Sequence, residues 1–312
     1  MKVFLLVNPK ARGRGNVRAI NVALERFAMA GWAVITVRTG STDHASEVIR
    51  AAPADGFDLL IVAGGDGTVH NAVQHLPLGF PTHPSPLPLG IIPLGSGNDF
   101  YRGIGAPSDP LGAGENLVNG RPMPVDIGVV EPINEDGSLR DEPPIRFVNS
   151  AGIGIDSRTL ATRLKAPRWL SDRYDLLFLL TLIWMKPMNY RLKAESWERN
   201  FPGYWVLCCN NGQIGTGMKI APEARFDDGM LDVVTVERIP KWRFVRNLPK
   251  VFKGTHTDEK GFDVVKAKEV IVRSIPTVRV AADGDLVFRT PVRIRVLPGA
   301  LTLWTSRLGG SE

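Results

Sequence analysis

Cysteine is nearly missing from this 312-residue chain: there are two, Cys208 and Cys209, side by side in the apolar run YWVLCCN. Adjacent cysteines supply neither the spaced pairs of a zinc site nor a disulfide framework, which excludes a stapled secreted scaffold and makes a reducing cytoplasm the expected compartment. No apolar run reaches the roughly 20 residues that a membrane-spanning helix needs. The most apolar stretch, from Tyr174, stops at Lys186-Pro187. The opening MKVFLLVNPKARGRG turns polar at Asn8-Pro9, too soon for a signal-peptide core, and reads as a first strand. Internal repeats, low-complexity tracts and long basic blocks are also lacking. The net charge of +6 is spread along the chain, which favours anionic ligands such as a nucleotide or a membrane surface. The aromatics are scattered and no RNA or DNA motif accompanies the charge, so no nucleic-acid partner is expected.

What the chain does have is length and apolar content enough for two cores, since 312 residues at 44% hydrophobic exceed what one domain usually holds. Through the first 120 or so residues, short apolar runs (Lys2–Asn8, Trp32–Arg38, Phe57–Gly64, Leu87–Gly95) alternate with helix-period segments (Val17–Gly31, and one from a cap at Thr42 or Asp43). Near-continuously apolar strands separated by amphipathic helices predict a parallel sheet covered on both faces, a three-layer α/β domain. After Leu117–Glu131 strands follow one another, which predicts a mainly antiparallel, β-rich second domain. Its expected helices are Trp169 to Lys186 and a shorter one around Lys241 to Phe252, and Glu135–Pro144 is expected to be a hairpin loop. The apolar segment from Tyr174 reads as a buried core helix, with a wall against an acyl chain or bilayer as the alternative.

The first domain carries a glycine-rich corner, GGDGT (Gly64–Thr68), directly after an apolar run. Glycine there lets backbone N–H groups approach an anion, and a helix starting at Thr68 or Val69 would add its positive end. No Gly-Lys-Ser/Thr follows and GxGxxG is absent, so neither a Walker A loop nor a dinucleotide fingerprint is present. Asp66 would repel phosphate unless a magnesium ion or its water lay between them; otherwise it is a helix cap. NPKARGRG (Asn8–Gly15) and PLGSGNDF (Pro93–Phe100) fall at the same kind of place, the carboxyl end of a strand, where open α/β sheets bind ligands.

Together these three loops resemble the catalytic domain of the diacylglycerol kinase family, which includes bacterial lipid kinases and has sphingosine and ceramide kinases as relatives. APEARFDDGMLDVVTVE (Ala221–Glu237) and VAADGDLV (Val280–Val287) resemble the two motifs that this family carries in its second domain. The resemblance implies a Rossmann-like nucleotide-binding domain over 1–122, a β-rich sandwich domain for the lipid over 123–286, and an ATP site in the cleft between them. It also implies that the tail 287–312 returns to the first domain. By the same resemblance Asn8, Pro9, Lys10, Ala11, Arg12, Thr39, Gly64, Gly65, Asp66, Gly67, Thr68, Val69, His70 and Ser96 line the ATP. A magnesium ion sits on the Asp228 carboxylate and the carbonyls of Arg225 and Met230, linked through water to Asp66. The proton acceptor is Asp285 or Asp283. Asp285 stands where the family has glutamate, one methylene longer, which leaves the choice between the two open. His70-Asn71 replaces the common Asn-Glu, so no metal or proton role passes to Asn71, and His70 reads as a hydrogen-bond partner on a helix face.

The expected protein is therefore an ATP- and magnesium-dependent lipid kinase of lipid metabolism and phospholipid synthesis. Its expected acceptor is diacylglycerol or a related lipid, and it is expected to make transient contact with the inner membrane face and to be able to form a homodimer. The alternatives are an NAD kinase, which shares GGDGT, and a non-catalytic nucleotide- or lipid-binding regulator.

Overall fold

The computed structural model describes residues 1–8, 13–79, 85–106, 109–171, 173–215 and 217–307. Pro9, Lys10, Ala11 and Arg12, expected along the nucleotide, lie outside the described residues. The chain divides into two compact units: Met1–Ile127 with Arg225–Gly229 and Leu297–Glu312, and Gly128–Ala224 with Met230–Val296.

The first unit runs β1 (Lys2–Val7), α1 (Arg14–Met29), β2 (Ala33–Arg38), α2 (Thr42–Ala51), β3 (Leu59–Gly64), α3 (Asp66–His75), β4 (Leu89–Pro93), α4 (Asp99–Gly103) and α5 (Ala113–Val118). β1 pairs in parallel with both β2 and β3, and β3 in parallel with β4. Every residue of β3 and of β4 is buried. That is why these runs are apolar without alternation: both faces of a central parallel strand are covered. On one face Val3, Leu5, Leu59 and Ile61 pack with Ile20, Ala23 and Phe27 of α1. Phe27 in turn stacks on Trp32 with ring centroids 5.0 Å apart. β2 has no buried residue, as befits an edge.

The second unit continues with β5 (Arg121–Pro132, of which Gly128–Pro132 belong here), β6 (Ile145–Phe147), β7 (Ser150–Gly154), α6 (Ile155–Arg163), α7 (Arg168–Ser171), α8 (Tyr174–Trp184), β8 (Met188–Ala194) and β9 (Glu198–Cys209). Then come β10 (Leu231–Glu237), α9 (Lys241–Lys253), β11 (Phe262–Ala267), β12 (Glu269–Ile275), β13 (Arg279–Ala282), β14 (Asp285–Arg289) and β15 (Val292–Thr305), whose residues from Leu297 onward belong to the first unit. Among the described residues β5 pairs with β6, β7 with β9 and β13, β8 with β9 and β12, β10 with β9 and β11, β12 with β15 and β13 with β14, all antiparallel. β9 serves two sets of neighbours: its first half pairs with β8, and its second with β7 and β10. The turnover comes at Gly203, where a Cβ would lie 2.7 Å from the Val236 carbonyl oxygen. Only glycine allows the backbones to come so close.

Three expectations need correction. The helix after GGDG begins at Asp66, not at Thr68 or Val69, because Gly65 already takes the extended N-cap conformation. The segment Trp169–Lys186 is two helices rather than one, since Arg173 (φ −106°, ψ 67°) leaves the helical region between α7 and α8. The unexpected α6 follows Gly154, whose φ of 120° turns the chain out of β7. The expected hairpin loop Glu135–Pro144 does join two antiparallel strands, β5 and β6.

Candidate functional site

Within the first unit three loops meet at the carboxyl ends of β1, β3 and β4. Asn8 donates from its backbone to the Ala63 carbonyl (3.0 Å), and its Nδ2 donates to Thr68 Oγ1 (2.8 Å). Thr68 is packed so closely on Gly64 that a Cβ there would lie 2.2 Å from Oγ1. The second and third loops touch backbone to backbone: a Cβ on Gly95 would stand 2.6 Å from the Cα of Gly65. Asn98, held at φ 51°, closes its own loop by accepting from the Gly95 N–H (2.9 Å) and donating to the Gly95 carbonyl (2.8 Å).

Asp66 joins these parts. Its Oδ1 accepts from the Phe100 N–H at the start of α4 (3.3 Å), and its Oδ2 would lie 2.9 Å from a Cβ on Gly97. A carboxylate is thus set among the amides of a helix N-terminus, where an approaching phosphate would feel both signs of charge. Gly67 is exposed, and a Cβ added to it would meet nothing within 4 Å. The corner therefore opens to solvent at this glycine. Ser96 is exposed on the same loop as Asn98. Thr39 is buried at the end of β2, its N–H on the Val7 carbonyl (3.3 Å). Val69 and His70 are buried in α3, with Gln74 Nε2 3.5 Å from His70 Nε2.

The segment Arg225–Gly229 belongs to the same unit. Its Phe226 is buried edge-on against Phe100, centroids 5.2 Å apart. The Arg225 guanidinium holds Asp227 through two bonds of 3.0 and 3.2 Å. Asp228 is exposed. Asp126, which sequence reasoning did not single out, accepts from the N–H groups of Gly229 (2.7 Å) and Gly299 (2.8 Å). Burial pushes its pKa up, those two bonds oppose the shift, and the charges of Asp228 and Asp227 add to it. Oxygen donors under mutual repulsion suit a hard divalent cation, so the residues fit the expected magnesium. No three His, Cys, Asp or Glu side chains converge among the described residues, and the expected donor set needs only one carboxylate beside main-chain carbonyls. Met230 is assigned to the second unit.

In the second unit Asp283 and Gly284 form the two-residue turn of the β13–β14 hairpin, both at positive φ (47° and 90°). Such a turn matches the twist of the strands and tolerates aspartate followed by glycine. The Asp283 carboxylate accepts from the N–H groups of Val148 (2.7 Å), Asn149 (2.9 Å) and Ser150 (3.1 Å). Asn210 donates to the Val148 carbonyl (3.0 Å), and Asn211 to Asn149 Oδ1 (2.9 Å). Asp285 is exposed at the first position of β14. The buried trio Asn149, Asn210 and Asn211 escaped the sequence reading, although two asparagines closing an apolar strand are a visible anomaly.

Asp156 is another residue that no motif marked. Its carboxyl lies over Gly152, where a Cβ would be 1.5 Å from Oδ2, and it accepts from the Ser157 N–H (2.7 Å). Burial pushes its pKa up to about 7, opposed by Ser157 and by the nearby Trp205 indole. The indole Nε1 makes no bond of proper geometry there, so the opposition from Trp205 is weak.

Two family models cover most of the chain: the diacylglycerol kinase catalytic domain over residues 2–130, and the YegS C-terminal NAD kinase beta sandwich-like domain over residues 149–305. A diacylglycerol kinase of Mycobacterium tuberculosis is 31% identical over 99% of this chain and 96% of its own length. That of Bacillus subtilis is 28% identical over 90% and 88%. The crystal structure of a diacylglycerol kinase from Bacillus anthracis matches with a TM-score of 0.72 at 24% identity, covering 97% of this chain and 96% of that one. With its glycine-rich corner, its β-rich second unit and these relatives, the chain belongs to the diacylglycerol kinase family of ATP-dependent lipid kinases, phosphotransferases that act on an alcohol group.

Proposed function

We propose that the acceptor is the free hydroxyl of diacylglycerol or a close relative, and that Asp285 takes its proton as the γ-phosphoryl group moves. The observation that carries the division of roles is the different setting of the two hairpin acids. The oxygens of Asp283 accept three backbone N–H groups, whereas Asp285 is exposed. A base must reach a substrate proton, and an acid already engaged in holding a turn is poorly placed to do so. Asp283 is thus a positioning residue in this reading.

Asn8, Pro9, Lys10, Ala11, Arg12, Thr39, Gly64 to His70 and Ser96 hold the nucleotide, with the open space at Gly67 receiving phosphate. Asp228 and the carbonyls of Arg225 and Met230 would hold magnesium, which would supply neutralisation of phosphate charge. Placement and charge stabilisation supply most of the rate, as phosphoryl transfer demands little covalent chemistry of the protein. Residues 1–122 serve the nucleotide and 123–286 serve the lipid, and of the tail from 287 the part from Leu297 serves with the first unit. Since the acceptor lives in a bilayer, the chain works as a peripheral visitor to the inner membrane face.

The test incubates the protein with γ-labelled ATP, magnesium and mixed micelles of candidate lipids, with NAD in a separate tube. Label in phosphatidic acid from the diacylglycerol tube is the expected result. Label in another lipid would replace the acceptor, and label in NADP would overturn the reading. Asp66→Asn should abolish transfer while leaving the circular dichroism spectrum unchanged, and near-normal turnover would remove its central role.

A further inference from the structure

α8 is apolar apart from Asp175 and Thr181, yet the fold covers only one side of it. Leu177 and Leu182 are buried, while Leu180, Ile183 and Trp184 face outward, with Trp184 82% exposed. α9 repeats the pattern: Phe244, Asn247 and Val251 point inward, and Trp242 (65% exposed) and Val245 point outward. The two helices are neighbours, since Lys241 Nζ of α9 donates to the Ile183 carbonyl of α8. Trp169 of α7, 72% exposed, precedes them. Large apolar side chains left exposed on neighbouring helices mark a surface that something covers.

We propose that this α7–α8–α9 face docks on the surface of a bilayer that carries anionic lipid. Charge complementarity selects that occupant. α9 contains five lysines and arginines and no acid; Lys250 is engaged by Glu259, and Arg246, which lies over the Trp242 ring at 5.4 Å, is exposed beside Lys253 on the outward side. Arg173 and Lys186 flank α8 and are exposed; its one acid by sequence is Asp175. Tryptophan and basic residues beside an apolar stripe are the composition of a helix lying in the headgroup region. α8 has 11 residues, about 16 Å of helix, and no helix among the described residues is long and apolar enough to cross a membrane. The face therefore lies on the bilayer and does not span it. A second copy would set two basic faces against each other, which like charges oppose. The inference deepens the lipid-kinase reading by naming the surface through which the chain meets its acceptor, and it rests on that reading for the partner's chemistry.

The test floats the full chain, without nucleotide, on phosphatidylcholine vesicles with and without phosphatidylglycerol. Beside it runs Trp184→Glu/Trp242→Glu, with Arg246→Glu/Lys253→Glu as a variant that reverses exposed charge on α9. A separate assay follows label transfer to a short-chain diacylglycerol dispersed as monomers. The wild type should bind the anionic vesicles, with a blue shift in tryptophan emission. The tryptophan variant should bind at least about tenfold less tightly, and the charge variant should lose its preference for phosphatidylglycerol. Both should keep their turnover on the monomeric acceptor. Binding by the tryptophan variant equal to that of the wild type would overturn the proposal. So would a wild type that ignores anionic vesicles, or a wild-type dimer that the tryptophan substitutions split. Vesicle binding without label in any acceptor would uphold the surface and sink the kinase reading, so the two fail separately.

Discussion

Three backbone N–H groups point at the Asp283 carboxylate, those of Val148, Asn149 and Ser150, whereas Asp285 stands exposed at the start of β14. Asp283→Ala should therefore cost about 1–3 kcal/mol of stability by orphaning those donors. Asp285→Asn should leave stability within about 0.5 kcal/mol and slow label transfer by about 10²–10⁴. Urea unfolding and single-turnover kinetics on both variants check this, and a stable Asp283→Asn with lost turnover would exchange the two roles. The sequence made DGD visible as a motif but left its acids undivided, because what separates them is a contact 133 to 135 residues away along the chain. Asp156 was illegible for the same reason: its neighbours Trp205 and Gly152 come together only in the fold. Unfolded, it ionises near its ordinary value of 3.8; folded, it keeps its proton to about 7. Between those values the folded state binds the extra proton, so this group's contribution to stability declines as pH rises through that window. Asp156→Asn should melt higher than the wild type above pH 7, with the gap closing toward pH 4. A gap independent of pH would show that the carboxyl ionises normally.

At the scale of elements, β3 and β4 were plain from composition alone, because fully buried parallel strands have no polar face to hide. The glycine loops were equally plain as motifs. Their mutual contact was not, since Gly65 and Gly95 follow different strands and meet only because β3 and β4 are neighbours. That contact separates two glycine substitutions. Gly95→Ala places a methyl group 2.6 Å from the Gly65 Cα, and should cost about 1–3 kcal/mol by forcing the loops apart. Gly67→Ala meets nothing within 4 Å and sits in the first turn of α3, so its melting temperature should equal or exceed that of the wild type. It nevertheless puts a methyl group where phosphate is proposed to lie, and its KM for ATP should rise while that for the lipid stays put. Melting curves and kinetics with each substrate varied in turn decide the matter; an unchanged KM for ATP would move the phosphate away from Gly67. Beyond the helix bounds already corrected, the apolar pattern misled at α8. An apolar run predicts burial, but α8 is buried on one side and bare on the other, and periodicity cannot report what lies outside the chain.

On the scale of the whole molecule, neither unit is a single stretch of chain: the first gathers Met1–Ile127, Arg225–Gly229 and Leu297–Glu312. A fragment chosen by sequence position alone would therefore cut through a core. The last strand shows how much depends on distant residues. Leu303 pairs with Leu89 of β4, and the Ala300 carbonyl accepts from the Gly79 N–H (2.8 Å). Trp304 Nε1 donates to the Leu117 carbonyl (2.8 Å), and Asn116 Oδ1 accepts from Ser306 N (3.0 Å). A chain ending at Val296 would lose all of these and would leave β4, whose residues are all buried, as a bare apolar edge. The buried Asp126 would lose the Gly299 N–H donor, which is costly for a carboxylate away from water. This truncation should abolish cooperative unfolding of the first unit and expose apolar surface to a dye such as anilinonaphthalene sulfonate, while the second unit, with its own core, keeps a separate melting transition. Calorimetry on the full and shortened chains distinguishes the outcomes. Two intact transitions in the shortened chain would mean that β1 to β4 form a stable sheet unaided, and that the final strand is kept for function and not for folding.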